Sequence, residues 1–298
     1  MLLKNIGEFG LIERFKKQIK IDSSVVAGSG DDCAVLKLDK NNFQLFTCDM
    51  IVENEDFTFK DKLELIGRKA LAISISDVAA CGGIPNHCVV SMGLPKYLSV
   101  EKIDRIAKGM FDLARQFRIN IVGGDISKAP KLILDVSMLG SVAKQHLVLR
   151  NGAKKGDIIF VTGALGGSIR GKHLKFSPRL KESRFLVQNF KVNAMIDISD
   201  GLAQDLRHIL EQSQVGAVIY ECLIPKDRNA KNLEEALFMG EDFELLFTLS
   251  KKEAEKLLSK KLKIYKPIGE IVDKSGGLKI VNLKNIVKDI DLKGFSHF

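Results

Sequence analysis

The chain has no tryptophan, only three tyrosines and only six prolines. Base-stacking surfaces need aromatic side chains, and Tyr265 is the only one in the basic stretch from Lys251 to Lys266, which argues against single-strand recognition there. No apolar run approaches the roughly 20 residues that span a bilayer. The N-terminus, Met1-Leu2-Leu3-Lys4-Asn5-Ile6-Gly7-Glu8, lacks the long apolar stretch of a signal peptide. A cytoplasmic protein without membrane partners is the expectation. The five cysteines (Cys33, Cys48, Cys81, Cys88 and Cys222) are odd in number and form no CxxC pair. That argues against a disulfide framework and a structural zinc site. The five histidines are scattered and form no HExxH, so a zinc hydrolase is weakly supported.

What the chain does have is bulk and positive charge. Its 298 residues suffice for two ordinary domains, and 45% hydrophobic with 28% charged residues is typical of globular proteins. The net charge of +9 is densest from Lys251 to Lys266. Glu253 and Glu255 interrupt that stretch, and Leu257 and Leu258 give it an apolar stripe. It reads as a solvated amphipathic helix, and no nucleic-acid partner is expected.

Apolar spacing predicts a first helix carrying Leu11, Ile12, Phe15 and Ile19, and a second from Leu63 to about Ala80. Ser99 reads as the N-cap of a third, whose inward residues run from Ile103 to Phe117. Strands are expected at 33–38, 44–49, around Val89-Val90, at 119–122 and at 132–139. The turn-rich stretch Gln145–Gly156 reads as a linker or its edge. Beyond it come a strand at 157–162, helical patterns to about Phe190, an apolar run at 195–198, a helix from Leu202, and strands at 217–220 and 243–249. The expected class is α/β of the α+β type, in two lobes: 1–145 and 146–298.

Carboxylates recur at glycine-marked turns after apolar runs: Asp31-Asp32, Asp49, Asp77, Asp125, Asp197, Asp200 and Glu241-Asp242. A single Asp in a turn needs no function, because its side chain accepts from nearby backbone N–H groups, and Asp200 could simply cap the following helix. So many in one chain favour a shared site, since converging carboxylates repel unless cations lie between them. Oxygen ligands suit Mg²⁺, which often brings phosphates with it. The stretch Gly166–His173 spells GxxxxGK, but His173 replaces the Ser or Thr of a P-loop. Gly28-Ser29-Gly30-Asp31-Asp32 lacks a dinucleotide fingerprint's third glycine and puts acids where a pyrophosphate would sit.

Taken in order, several segments resemble the thiamine-monophosphate kinase family. They are Gly7-Glu8-Phe9-Gly10-Leu11-Ile12, Gly30-Asp31-Asp32-Cys33-Ala34-Val35, Thr47-Cys48-Asp49-Met50-Ile51-Val52-Glu53 and Ser74-Ile75-Ser76-Asp77-Val78-Ala79-Ala80-Cys81-Gly82. Gly123-Gly124-Asp125, Val161-Thr162-Gly163, Asp197-Ile198-Ser199-Asp200-Gly201-Leu202, Gly240-Glu241-Asp242-Phe243-Glu244-Leu245 and Gly294-Phe295-Ser296-His297-Phe298 complete the set. The family is similar to aminoimidazole-ribotide synthetase, selenophosphate synthetase and the hydrogenase-maturation dehydratase. The resemblance implies their fold: an N-terminal lobe whose sheet pairs across a homodimer and carries ATP and metal sites, and a C-terminal α/β lobe that completes the active site. It implies transfer of a phosphoryl group from ATP, with several Mg²⁺ ions, to thiamine monophosphate.

By that resemblance Asp32, Thr47, Cys48, Asp49, Asp77, Asp125, Asp197 and Asp200 are metal positions, and Asp49, Asp125 and Asp200 are the catalytic ones. Gly124, Asp125, Arg150 and Ser199 are ATP positions. Asp56, Glu241 and Phe295 are substrate positions, Asp56 standing where the family often has His. Two alternatives stay open. One is another ATP-using enzyme of the same superfamily, of the selenophosphate synthetase or hydrogenase-maturation type. The other is a non-enzymatic nucleotide or nucleic-acid binder.

Overall fold

The computed structural model describes residues 3–290, apart from the side chains of Lys4 and Phe9. After the first helix, α1 (Gly7–Lys16), the chain forms β1 (Val25–Ala27), β2 (Ala34–Lys37) and β3 (Asn42–Val52). Two long helices follow, α2 (Leu63–Ala80) and α3 (Val100–Phe117), interleaved with β4 (Ile84–Leu94), β5 (Asn120–Lys128) and β6 (Ile133–Ala143). These strands make one sheet in the order β1-β2-β3-β6-β4-β5.

The second half begins with β7 (Ile158–Thr162), α4 (Leu180–Asn189), β8 (Val192–Asp197), α5 (Leu202–Ser213) and β9 (Gly216–Tyr220). It continues with α6 (Leu233–Phe238), β10 (Leu245–Leu249), α7 (Lys251–Ser259), β11 (Tyr265–Val272), β12 (Leu278–Val281) and β13 (Val287–Asp289). Its sheet has the order β13-β12-β9-β11-β7-β10-β8. No helix among the described residues is long and apolar enough to cross a membrane.

Strand alternation decides which side chains face the helices. Along β3, Leu45, Thr47 and Ile51 are buried toward α2, and Asp49 shares their parity. Phe46, Cys48 and Met50 point the other way and are exposed. Helix α2 is buried nearly all round, including Ser74 and Ser76, because it lies between the first sheet and the second half of the chain.

Three local expectations change. Ile19 lies beyond the end of α1 at Lys16, in a closing turn where its N donates to Phe15 O at 3.1 Å. Ser99 does occupy the N-cap of α3, but its side chain does not bond to the helix backbone. The helical patterns expected after β7 reduce to α4, because the stretch before it carries left-handed backbone at Gly163, Gly166, Gly167 and Gly171.

Candidate active site

The middle of β3, the end of β8 and the turn before β2 converge beside the C-terminal half of α2. Three hydroxyls hold three acids there. Thr47 Oγ1 donates to Asp77 Oδ2 at 2.5 Å, Ser74 Oγ to Asp49 Oδ2 at 2.8 Å, and Ser76 Oγ to Asp197 Oδ2 at 2.6 Å. Asp49 also shares a hydrogen bond with Asp77. Asp32, Asp77 and Asp197 each offer an oxygen within 4.8 Å of the others.

Arg150 Nη2 reaches Asp32 Oδ1 at 2.6 Å, while Asp32 Oδ2 is buried with no hydrogen-bond partner. Burial is the main force raising the carboxyls of this group. Asp49 moves up to about 6 and Asp197 to about 8, and the charge of Asp32 adds to the second shift. Asp77 is raised by burial and then by Asp49, Asp197 and Asp32. An all-oxygen donor set, short of cationic partners and with an orphaned buried oxygen, fits a hard divalent cation.

Two cavities flank the acids. One, of about 460 Å³, is lined by Asp49, Asp56, Lys69, Ile169, Phe238 and Glu241, with Ile73, Met239 and Phe243 beside them. The other, of about 800 Å³, lies between α1, the Gly30-Asp31 turn, Arg150 and α5, where Gln204, Asp205, His208 and Gln212 face it. Ser199 and Asp200 line both. The backbone there is fixed closely: Glu241 N donates to Ser199 O at 2.6 Å, and a Cβ on Gly240 would stand 2.2 Å from that same oxygen.

Asp205, rather than Asp200, ties the entry to α5, accepting from Asp200 N at 3.1 Å and Gly201 N at 3.0 Å. Asp200, Asp205 and His208 form a second group that could hold a cation. Burial and then Arg150 lower His208 to about 4, so it is neutral at neutral pH.

Several expected residues sit differently. Asp125 does not join the cluster. The ladders pair Asp125 with Ser91, Ser91 with Asp135 and Asp135 with Met50, so it ends a row on the opposite face of the sheet from Asp49. Gly124 packs against Val90, whose carbonyl would lie 1.9 Å from an added Cβ. Cys48 Sγ turns toward Asp135 Oδ2 at 3.3 Å on that outer face. Asp56 reaches the smaller cavity, yet its Oδ2 accepts from Val52 N at 2.7 Å. Phe295 lies outside the described residues.

The GxxxxGK stretch is not a phosphate loop. Asp242 accepts from Gly166 N at 2.8 Å, and Lys172 Nζ lies 3.1 Å from Glu244 Oε1, so carboxylates fill the place of a phosphate. Sequence reasoning missed Ser74 and Ser76 as carboxylate holders, the outer-face Asp135, and Lys69. Lys69 was discoverable: it falls three residues after Ile66, on a face otherwise apolar.

Residues 30–142 match the family model of the AIR synthase related protein, N-terminal domain, and residues 141–281 that of the C-terminal domain. The fold is thus that of an AIR synthase related chain. The thiamine-monophosphate kinase of Bacillus subtilis (strain 168) is 35% identical, with 98% of this chain and 100% of that one covered. That of Aquifex aeolicus (strain VF5) is 32% identical over 100% of each. The chain belongs to the thiamine-monophosphate kinase family. Among solved structures, AaThiL complexed with AMPPCP and TMP superposes with a TM-score of 0.88 at 30% identity, covering 100% of this chain and 99% of that chain. A HypE-HypF complex matches with a TM-score of 0.77 at 21% identity, over 94% of this chain and 99% of that one, and so shares the fold.

Proposed function

We propose that the protein transfers the γ-phosphoryl group of ATP to the phosphate of thiamine monophosphate, giving ADP and thiamine diphosphate. The observation that carries this reading is the junction of two cavities at Ser199-Asp200, beside a buried group of aspartates. A phosphoryl donor in the larger cavity and an acceptor in the smaller would bring their phosphates together at that junction. AaThiL, bound to AMPPCP and TMP, supports the choice of ligands.

The acceptor nucleophile is itself a phosphate oxygen, so no strong general base is required. Positioning and charge neutralisation do most of the work in such a transfer. Divalent cations, which Asp32, Asp49, Asp77 and Asp197 are suited to hold, supply neutralisation of the phosphate charges when bound. The chain's own contribution is orientation. Thr47, Ser74 and Ser76 aim the carboxylates, and Arg150 keeps Asp32 in place. In the acceptor cavity Glu241 and Asp56 offer negative charge to the cationic thiazolium. Ile73, Ile169, Phe238 and Phe243 offer apolar contact to its rings.

The molecule reads as two domains, 1–145 and 146–298, each built on one sheet. It reads also as a homodimer. Phe46, Met50, Ile84 and Val89 are exposed on the face of the first sheet opposite Asp49, and an exposed apolar face suits a partner copy. Asp125 then faces that copy.

The selenophosphate-type alternative is disfavoured at Cys33, which is buried and whose thiol burial pushes up. The test is direct. Purified protein with ATP, Mg²⁺ and thiamine monophosphate should yield ADP and thiamine diphosphate in equal amounts. Release of inorganic phosphate alone, or a need for another acceptor, defeats the reading.

A further inference from the structure

Lys69 carries its charge inside the protein, and the chemistry above makes no use of it. Its residue is 1% exposed, among the largest fully buried side chains. Around it α2 is apolar: Ile66, Ala70, Leu71 and Ala72 are buried with it. A helix that needed only volume at this point would be served by methionine, because taking an ammonium out of water is costly unless it is paired.

The pairing is specific. Nζ donates to the carbonyl of Asp56 at 3.0 Å and forms an ion pair with Glu241 Oε1. Those partners come from the two halves of the chain. Asp56 sits on the turn after β3, and Glu241 on the turn before β10. Both line the smaller cavity. Glu241 is also held in left-handed backbone, φ 64°, where a glutamate has little intrinsic reason to stay. Its side chain is 30% exposed against 1% for Lys69. The glutamate therefore meets the cavity while the lysine stands behind it.

We propose that Lys69 is a positioning residue for the acceptor: it fixes the Glu241 carboxylate and the Asp56 turn together, so that Glu241 presents its remaining oxygen to the positively charged ring of the ligand. The proposal rests on the reading of the smaller cavity as the thiamine monophosphate site. A carboxylate already held in place loses less freedom when the ring arrives. Lys69 also leaves Glu241 a partner in the absence of acceptor, so the turn does not rearrange between states.

Calorimetric titration of thiamine, thiamine monophosphate and a non-hydrolysable ATP analogue into the wild-type chain, Lys69→Met and Lys69→Ala tests this without turnover. Lys69→Met keeps the volume and should weaken thiamine and thiamine monophosphate by the same factor, about tenfold or more. The nucleotide affinity and the melting temperature should be unchanged. Lys69→Ala opens space behind Glu241, and added ethylammonium should recover part of its lost affinity by replacing the missing charge.

Unchanged or tighter acceptor binding in Lys69→Met overturns the proposal. So does a loss confined to thiamine monophosphate, which would put Lys69 on the phosphate instead. A joint loss of acceptor, nucleotide and thermal stability would make the lysine merely structural. A Lys69→Ala defect that ethylammonium leaves untouched counts against it as well. If the wild-type chain binds neither thiamine compound, the reading of the cavity itself fails and takes the proposal with it.

Discussion

Asp32, Asp49, Asp77 and Asp197 share one buried volume, and three hydroxyls with one arginine arm are their main hydrogen-bonding partners. Their protonation without metal has a consequence for stability. Asp49 titrates at about 6 and Asp197 at about 8, both above the ordinary carboxyl value of 3.8. The folded state then binds more protons than the unfolded one across that interval. Stability is full below the unfolded value and falls as pH rises through the folded values. We expect the melting temperature of chelator-treated protein to drop from about pH 5 to about pH 9, and the gain on adding Mg²⁺ to grow over the same range. A flat profile with and without Mg²⁺ would contradict the cluster's role. The same residue-by-residue view separates the acids that the sequence presents alike: Asp242 anchors a loop and Asp205 a helix entry.

Among the elements, α2 and α3 pack backbone against backbone. A Cβ on Gly67 would lie 1.9 Å from Ile106 O, and one on Gly109 only 1.7 Å from Glu64 O. Each helix thus presses backbone to backbone through the other's neighbouring glycine. This brings α2 down on the sheet and fixes the height of Ser74, Ser76 and Asp77. Gly67→Ala or Gly109→Ala should force the helices apart at a cost of about 1–3 kcal/mol. A denaturant midpoint that falls with an unchanged slope would record it, and an unmoved midpoint would show the contact to be soft. Apolar periodicity alone located both helices, since a 3.6-residue pattern is local. It did not reveal their spacing, because a glycine in a helical run looks like a weakness until the partner helix is seen. The stretch after Gly163 misled for the converse reason: its apolar spacing fits a helix, but its glycines take left-handed backbone held by Asp242 and Glu244.

For the whole molecule, assembly turns on the outer face of the first sheet. Phe46 is 42% exposed on β3 and Val89 39% on β4, and both are apolar. Burying such side chains is worth about 1.5–3 kcal/mol each, which favours pairing with a second copy. Phe46→Asp with Val89→Asp should leave a monomer by light scattering, since two carboxylates would be buried at the contact. A dimer that survives both changes would move the interface elsewhere. The same face carries Asp125, whose row runs through Ser91 and Asp135 to Met50.

By itself the sequence determined what is written in local chemistry and in order along the chain. It determined the long helices, the acidic turns at Asp32, Asp49, Asp77, Asp197 and Glu241, and the ordered motifs that tie the chain to its family. These are properties of neighbouring residues, so spacing is enough to carry them. Only the tertiary structure decided which acids converge. A strand sends alternate side chains to opposite faces, and the register of β3, β6, β4 and β5 therefore sends Asp49 inward and Asp125 outward. Only the fold, too, set Lys69 behind Glu241, 172 residues away along the chain. A contact of that range leaves no periodic trace, because it depends on how two sheets and the helix between them come together.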